Sequence, residues 1–134
     1  GDVTWESNVL AVHHRLASLP DAEETDEWSA VHREFHETLI VGCQNEYLTA
    51  VATQLRDSAE VYRRWSLAFS NKEGRDIPGE HKAIVDAVIA GDAAVAAERL
   101  ESHIALTAEL LLDSPKLDWS ATGSTDDHLA KSLG

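Results

Sequence analysis

The stretch Val31-His32-Arg33-Glu34-Phe35-His36 decides how this chain is read. As a helix it places His32 and His36 one turn apart on a single face, because side chains at i and i+4 stack along a helix. Two imidazoles so placed can share one metal ion. The neighbouring positions keep the same period: Trp28, Val31, Phe35 and Leu39 form an apolar stripe with the two histidines along its border. The period predicts a helix over 26–41. Thr25 or Asp26 is placed to cap it, the preceding acidic residues favour its positive end, and Gly42 closes it.

Upstream, Trp5, Val9, Val12 and Leu16 stand at helical spacing and predict a helix over 3–17 that ends at Leu19-Pro20. His13 and His14 fall beside that stripe. An adjacent pair cannot share one helix face, so both read as solvated or edge residues. Downstream, Asn45 is placed to cap a helix over 46–69, with Leu48, Val51, Leu55, Tyr62 and Trp65 near one face. Arg56 and Arg63 are two turns apart and share a face. Two guanidiniums on one face suit a carboxylate, although salt bridges to the abundant acids are the commoner outcome, and Arg64 reads as solvated.

After a polar loop over 71–79, a fourth helix starts near Pro78, carries His81, Ile84, Val85 and Val88 on one side, and stops at Gly91. Asp92 is placed to cap a fifth, with Val95, Ala96, Leu100, His103 and Thr107 along one side. Beyond Asp113 the pattern dissolves. Residues 113–134, which include Leu117, Trp119 and His128, read as a polar tail.

The whole has 134 residues, which suits one domain over 1–112 followed by that tail. Twenty-four acidic residues against eleven basic give a formal charge of −13, a surface that repels phosphate backbones and argues against DNA binding by this segment. No apolar run is long enough to span a bilayer, and the start lacks a signal-peptide pattern. The single cysteine, Cys43, excludes an intrachain disulfide and is expected to pack as a small hydrophobe. These features point to the cytoplasm. The opening Gly1 and the lack of any methionine suggest a piece of a longer protein. With no strand alternation and no glycine-rich phosphate loop, the expected fold is all-α, an antiparallel helical bundle.

A lone histidine on an apolar border is usually a hydrogen-bonded core residue. Four are a different matter. In an antiparallel pair turning at Gly91-Asp92, His81 lies ten residues before the turn and His103 eleven after it, so the two stand at similar heights. Together with His32 and His36 they offer neutral imidazoles from separate helices to one divalent cation.

The run His32-Arg-Glu-Phe-His36, then Gly42-Cys-Gln-Asn45 with Leu48, Tyr62-Arg63, Glu80-His81 with Ile84 and Ala87, Gly91-Asp92, Ala96 and His103-Ile104 resembles the FCD effector-binding domain of GntR-type transcription regulators, in its metal-binding form. The resemblance implies a bundle whose central cavity holds a divalent metal, with a small carboxylic acid completing the coordination. The ligands then fall on His32, His36, His81 and His103. The family usually has aspartate where this chain has His32. A neutral ligand there leaves more positive charge for an anion and softens the site, so that zinc or nickel is expected rather than magnesium or manganese. Alternatively, His32 bonds the effector and three histidines hold the ion. Arg56 or Arg63 would pair with a second carboxylate, and Tyr62 and Asn45 would add hydrogen bonds. The resemblance also implies a homodimer, and DNA contact through a winged helix-turn-helix that, with one further helix, is absent from this chain.

Two other classes stay open at this point. A histidine-held ion can activate water, which would make this a hydrolase. Glu34, however, points off the ligand face, and Glu80 reads as a residue that supports or caps rather than a base, so a non-enzymatic role is preferred. The remaining alternative is a metal-free interaction bundle with packed histidines.

Overall fold

The computed structural model describes residues 2–20, 25–69 and 75–112, without the side chains of residues 61, 65–69, 110 and 111. The tail after Asp113 and the side chain of Trp65 therefore lie outside the described residues. Five helices make up the described chain: α1 (Val3–Ser18), α2 (Asp26–Val41), α3 (Glu46–Phe69), α4 (Ile77–Ile89) and α5 (Ala93–Leu112). The all-α expectation is borne out, and each helix lies within a residue or two of its predicted span.

Local chemistry explains the boundaries. Every helix starts at a side chain that accepts a hydrogen bond from an otherwise unpaired N–H of its first turn. Asp2 accepts from Trp5 N, Thr25 from Trp28 N, Asn45 from Tyr47 N and Leu48 N, Asp76 from Gly79 N, and Asp92 from Val95 N, at 2.8–3.1 Å. The α4–α5 turn is a Schellman motif. Gly91 takes φ +70°, its N–H reaches Val88 O at 3.0 Å, and Asp92 N reaches Ala87 O at 3.0 Å. Asp92 then caps α5, so one short turn reverses the chain.

Among the described residues each helix packs against two others, α1 on α2 and α4, α5 on α3 and α4, and α2 on α3. The five thus close into a ring in which α2 faces α4 and α5 across the interior. One side of that interior is apolar: Val9, Val12 and Leu16 of α1 meet Trp28, Val31 and Phe35 of α2 and Val85 of α4. Phe35 and Val9 are fully enclosed. Burying a side chain like Phe35 contributes about 2–3 kcal/mol.

Two expectations need correction, while Gly42 closes α2 as expected, with φ −58° and ψ −17°. The residue is small because the Trp5 indole lies against it: a Cβ there would come within 2.4 Å of the ring, whose N–H donates to Thr38 O at 2.7 Å. The left-handed position is taken by Gln44, at φ +50°. Cys43 is exposed rather than packed, its Sγ beside Asn45 O and the Thr49 hydroxyl. The α3 stripe is also outside: Leu48, Val51 and Leu55 are 61%, 55% and 67% exposed. The face that α3 turns toward α2 is polar instead, with ion pairs Arg33–Asp57 and Arg64–Asp26 and a bond from Arg63 to Ser29.

Replacing Gly42 with alanine is expected to expel the Trp5 indole and cost about 1–3 kcal/mol in urea unfolding. Gly91→Ala, with nothing within 4 Å of the added Cβ, is expected to cost about 1 kcal/mol from its backbone alone and to leave Trp5 fluorescence unchanged.

Candidate metal centre

The interior beside the apolar cluster is occupied by imidazoles. His32 and His36 point inward from α2, His81 from α4 and His103 from α5, all buried. Each offers one nitrogen to a set lying within 4.8 Å of one another. The helical pair behaves as its spacing requires, with His32 Nε2 and His36 Nε2 3.1 Å apart. Two nitrogens about 2.0–2.1 Å from one zinc ion in a tetrahedral arrangement lie about 3.3 Å apart. The α4–α5 hairpin brings His81 and His103 to a ring separation of 4.7 Å, and His36 stacks on His103 at 5.3 Å. Trp28 backs the cluster by stacking on His32 at 4.4 Å.

Electrostatics keeps all four neutral at ordinary pH. Burial, with repulsion from His103, Arg56 and Arg63, pushes His36 down to about 3. Burial and the neighbouring His103 and His36 push His81 down to about 2. His32 is driven well below its usual value and His103 is lowered too, burial being the main cause in both. Neutral imidazoles have free lone pairs, the state that binds a cation. His32 Nδ1 and His81 Nε2 are buried with no hydrogen-bond partner. Unsatisfied buried nitrogens of this kind are uncommon in a packed core. Together these features fit a divalent ion held by imidazole.

Of the basic residues, Arg56 and Arg63 both lie close enough to His36 to depress its pKa. Their situations differ. Arg63 lies over the Trp28 ring, donates to both oxygens of Glu60 at 2.7 and 2.8 Å and reaches Ser29 Oγ at 2.9 Å. Arg56 has a buried Nη1 without a hydrogen-bond partner. Tyr62 is about half exposed, and Asn45 is an exposed residue whose side chain is spent on capping α3. Among the other histidines, His14 is exposed, while half-buried His13 lines a pocket of about 80 Å³ that reaches His81. A larger groove of about 660 Å³ between α1 and α2 touches none of the four cluster histidines.

Glu34 is engaged at the surface with Arg15, 2.8 and 2.9 Å away, as its off-face position requires. Arg75 was not legible in the sequence. It sits in what reads as a polar loop, yet its guanidinium reaches Glu80, Thr107 and the backbone of His103. Nothing in its local pattern signals a contact with a helix 28 residues away.

The FCD domain family matches residues 2–106. The chain belongs to that family. The resemblance to an FCD domain read from the motifs between His32 and Ile104 is thus borne out. The domain is 34% identical over 110 residues to "Uncharacterized HTH-type transcriptional regulator BphR" of Paraburkholderia xenovorans (strain LB400), a match covering 78% of this chain and 44% of the relative. It is 35% identical over 113 residues to "HTH-type transcriptional repressor GlaR" of Escherichia coli (strain K12), covering 78% of this chain and 50% of the relative. The chain spans about half the length of these curated relatives. No solved structure matches it significantly. No helix among the described residues of this FCD domain is long and apolar enough to cross a membrane.

The depressed histidines set a pH dependence for the metal-free FCD domain. An unfolded histidine binds a proton below about 6.5, whereas buried His36 and His81 resist protonation until about 3 and 2, so the unfolded state gains protons first as pH falls. Stability is therefore complete above about pH 6.5 and is lost progressively below it. At pH 5 each of these two is expected to cost about 2 kcal/mol. Urea unfolding in chelator at pH 7.5 and pH 5 checks this, and equal midpoints would mean that the imidazoles are not buried neutral.

Proposed function

We propose that this domain is the effector-sensing part of a bacterial GntR-type transcription regulator, in which His32, His36, His81 and His103 hold a divalent metal, zinc or nickel, and a small carboxylic acid binds beside it. The observation that carries the reading is the convergence of four buried, neutral imidazoles from three helices, with His81 Nε2 left without a partner. A bound ion supplies a Lewis-acid centre for a carboxylate oxygen. All four ligands being neutral, the ion keeps its full positive charge, and the site attracts an anion.

The chain's own residues provide the second half of an anion site. Arg56 Nη1 is buried and unpaired, a state that costs about 1–3 kcal/mol until an acceptor arrives. A second carboxylate is such an acceptor, which makes a dicarboxylic acid the favoured effector class. Arg63, tied to Glu60 and Ser29, orders the wall next to it. Tyr62 and Asn45 have the weaker claim, one being half exposed and the other committed to its helix cap. Because the histidines come from α2, α4 and α5, an acid that draws them together favours one packing of the ring over another, and only such a preference can shift an equilibrium. In the whole protein, we propose, this packing acts in a cytoplasmic homodimer and reaches DNA through a separate helix-turn-helix domain. The helix-turn-helix part of this proposal is supported by the names of BphR and GlaR, about half of whose length lies outside the match.

Mass spectrometry of untagged protein is expected to find about one equivalent of metal, lost in His36→Ala and His103→Ala. Chelation is expected to lower Tm, and zinc restored at a hundredfold over its Kd should return about 2.7 kcal/mol. A parent chain that carries no metal and takes up no added zinc, nickel or copper would overturn the reading. Arg56→Gln is expected to retain metal while losing at least tenfold in affinity for dicarboxylic acids, read as a smaller thermal shift. An unchanged shift would remove Arg56 from the site.

A further inference from the structure

Glu80 stands next to His81 in sequence, yet its side chain crosses the α4–α5 hairpin to the other histidine. Its Oε2 lies 2.7 Å from His103 Nδ1. Arg75, just before α4, braces the carboxylate from behind. Its Nε donates to Oε1 at 2.8 Å and its Nη2 to Oε2 at 2.7 Å. The same guanidinium donates to His103 O and to Thr107 Oγ1, each at 2.9 Å, and so ties the start of α4 to α5. The Arg75 and Glu80 side chains are only 13% and 20% exposed.

Hydrogen-bonding capacity settles where the proton sits. Both Glu80 oxygens accept from the two-pronged Arg75 guanidinium, the geometry of a charge-assisted pair with an ionised carboxylate. An ionised carboxylate only accepts, so the hydrogen in the 2.7 Å contact belongs to His103 Nδ1. Arg75 Nη2 also lies 3.4 Å from that nitrogen, but a guanidinium has no acceptor and cannot receive a bond from it. With Nδ1 protonated and the ring neutral, the lone pair is on Nε2, on the far side of the imidazole from Glu80. His32 Nδ1 and His81 Nε2 have no partner of this kind.

We infer that Glu80, braced by Arg75, is a positioning residue that locks His103 in the Nδ1–H tautomer and aims its Nε2 lone pair into the histidine cluster. The device fixes one ligand before any ion arrives and makes its imidazole more basic. Its consequence for metal affinity rests on the metal reading proposed above; the tautomer does not. Glutamine is the informative replacement. With its oxygen toward His103 its amide N–H₂ opposes Arg75 Nε–H, and with its oxygen toward Arg75 the N–H₂ faces His103 Nδ1 and favours the opposite tautomer.

The test is long-range 1H–15N NMR of the histidine rings in the metal-free chain, with His103→Ala to assign the signal, followed by zinc binding in competition with a chelating dye. The wild type is expected to show His103 as Nδ1–H. Glu80→Gln is expected to populate Nε2–H and to bind zinc about 10–100-fold more weakly. Arg75→Lys, which keeps the charge but not the two-pronged grip, is expected to fall between them. A wild-type His103 in the Nε2–H form overturns the inference, as does a Glu80→Gln chain with unchanged tautomer and zinc affinity. A wild-type chain that shows Nδ1–H but takes up no zinc supports the tautomer lock and overturns the metal reading instead.

Discussion

Four neutral imidazoles in the middle of a helical ring are the constraint on which the rest of this domain depends. A polar group taken out of water must find a partner or lose free energy, and the ring leaves nitrogens of His32 and His81 without one. The surroundings are arranged to bear that load. Trp28 stacks on His32, Phe35 lies edge-on to His36 and tilted against His81 at 5.0 Å, and Glu80 bonds His103, so each ring is held in place by something other than its neighbours in the cluster. A plain interaction bundle would gain more from aliphatic residues at these positions. The polarity is costly unless it binds something.

The ring also separates labour by face. The side built from α1, α2 and α4 is apolar, encloses Val9 and Phe35 completely, and supplies most of the driving force for folding. The side that α3 closes is ionic. Arg63 and Glu60 form a pair with both side chains under 16% exposed, and this pair extends through Ser29 to the helix that carries His32 and His36. Such a pair contributes little net stability once its desolvation is counted, but it fixes where α3 stands relative to α2.

Membership of the FCD family and the shared names of BphR and GlaR set the context, while the chemistry proposed here comes from residues of this chain. His32 places a fourth neutral imidazole beside Arg56 and Arg63, within a chain of net charge −13.

The helices were legible because their causes are local. Periodicity, five capping side chains and the Gly91 turn lie within a few residues of the features they specify. The one-turn spacing of His32 and His36 follows from helix geometry, and the equal heights of His81 and His103 follow from counting outward from a tight turn. The sequence could not say what each face meets. Leu48, Val51 and Leu55 share a face in either case, but only the ring shows that α3 turns its other side inward. Gly42 reads as a helix stop, and only Trp5, from another helix, explains its size. Glu80 reads as a residue that supports or caps, and only the packing shows that it reaches His103, because successive helical residues diverge by about 100° while an antiparallel partner passes within side-chain reach. Local rules place a side chain on a face; which group it meets is decided by how the helices pack.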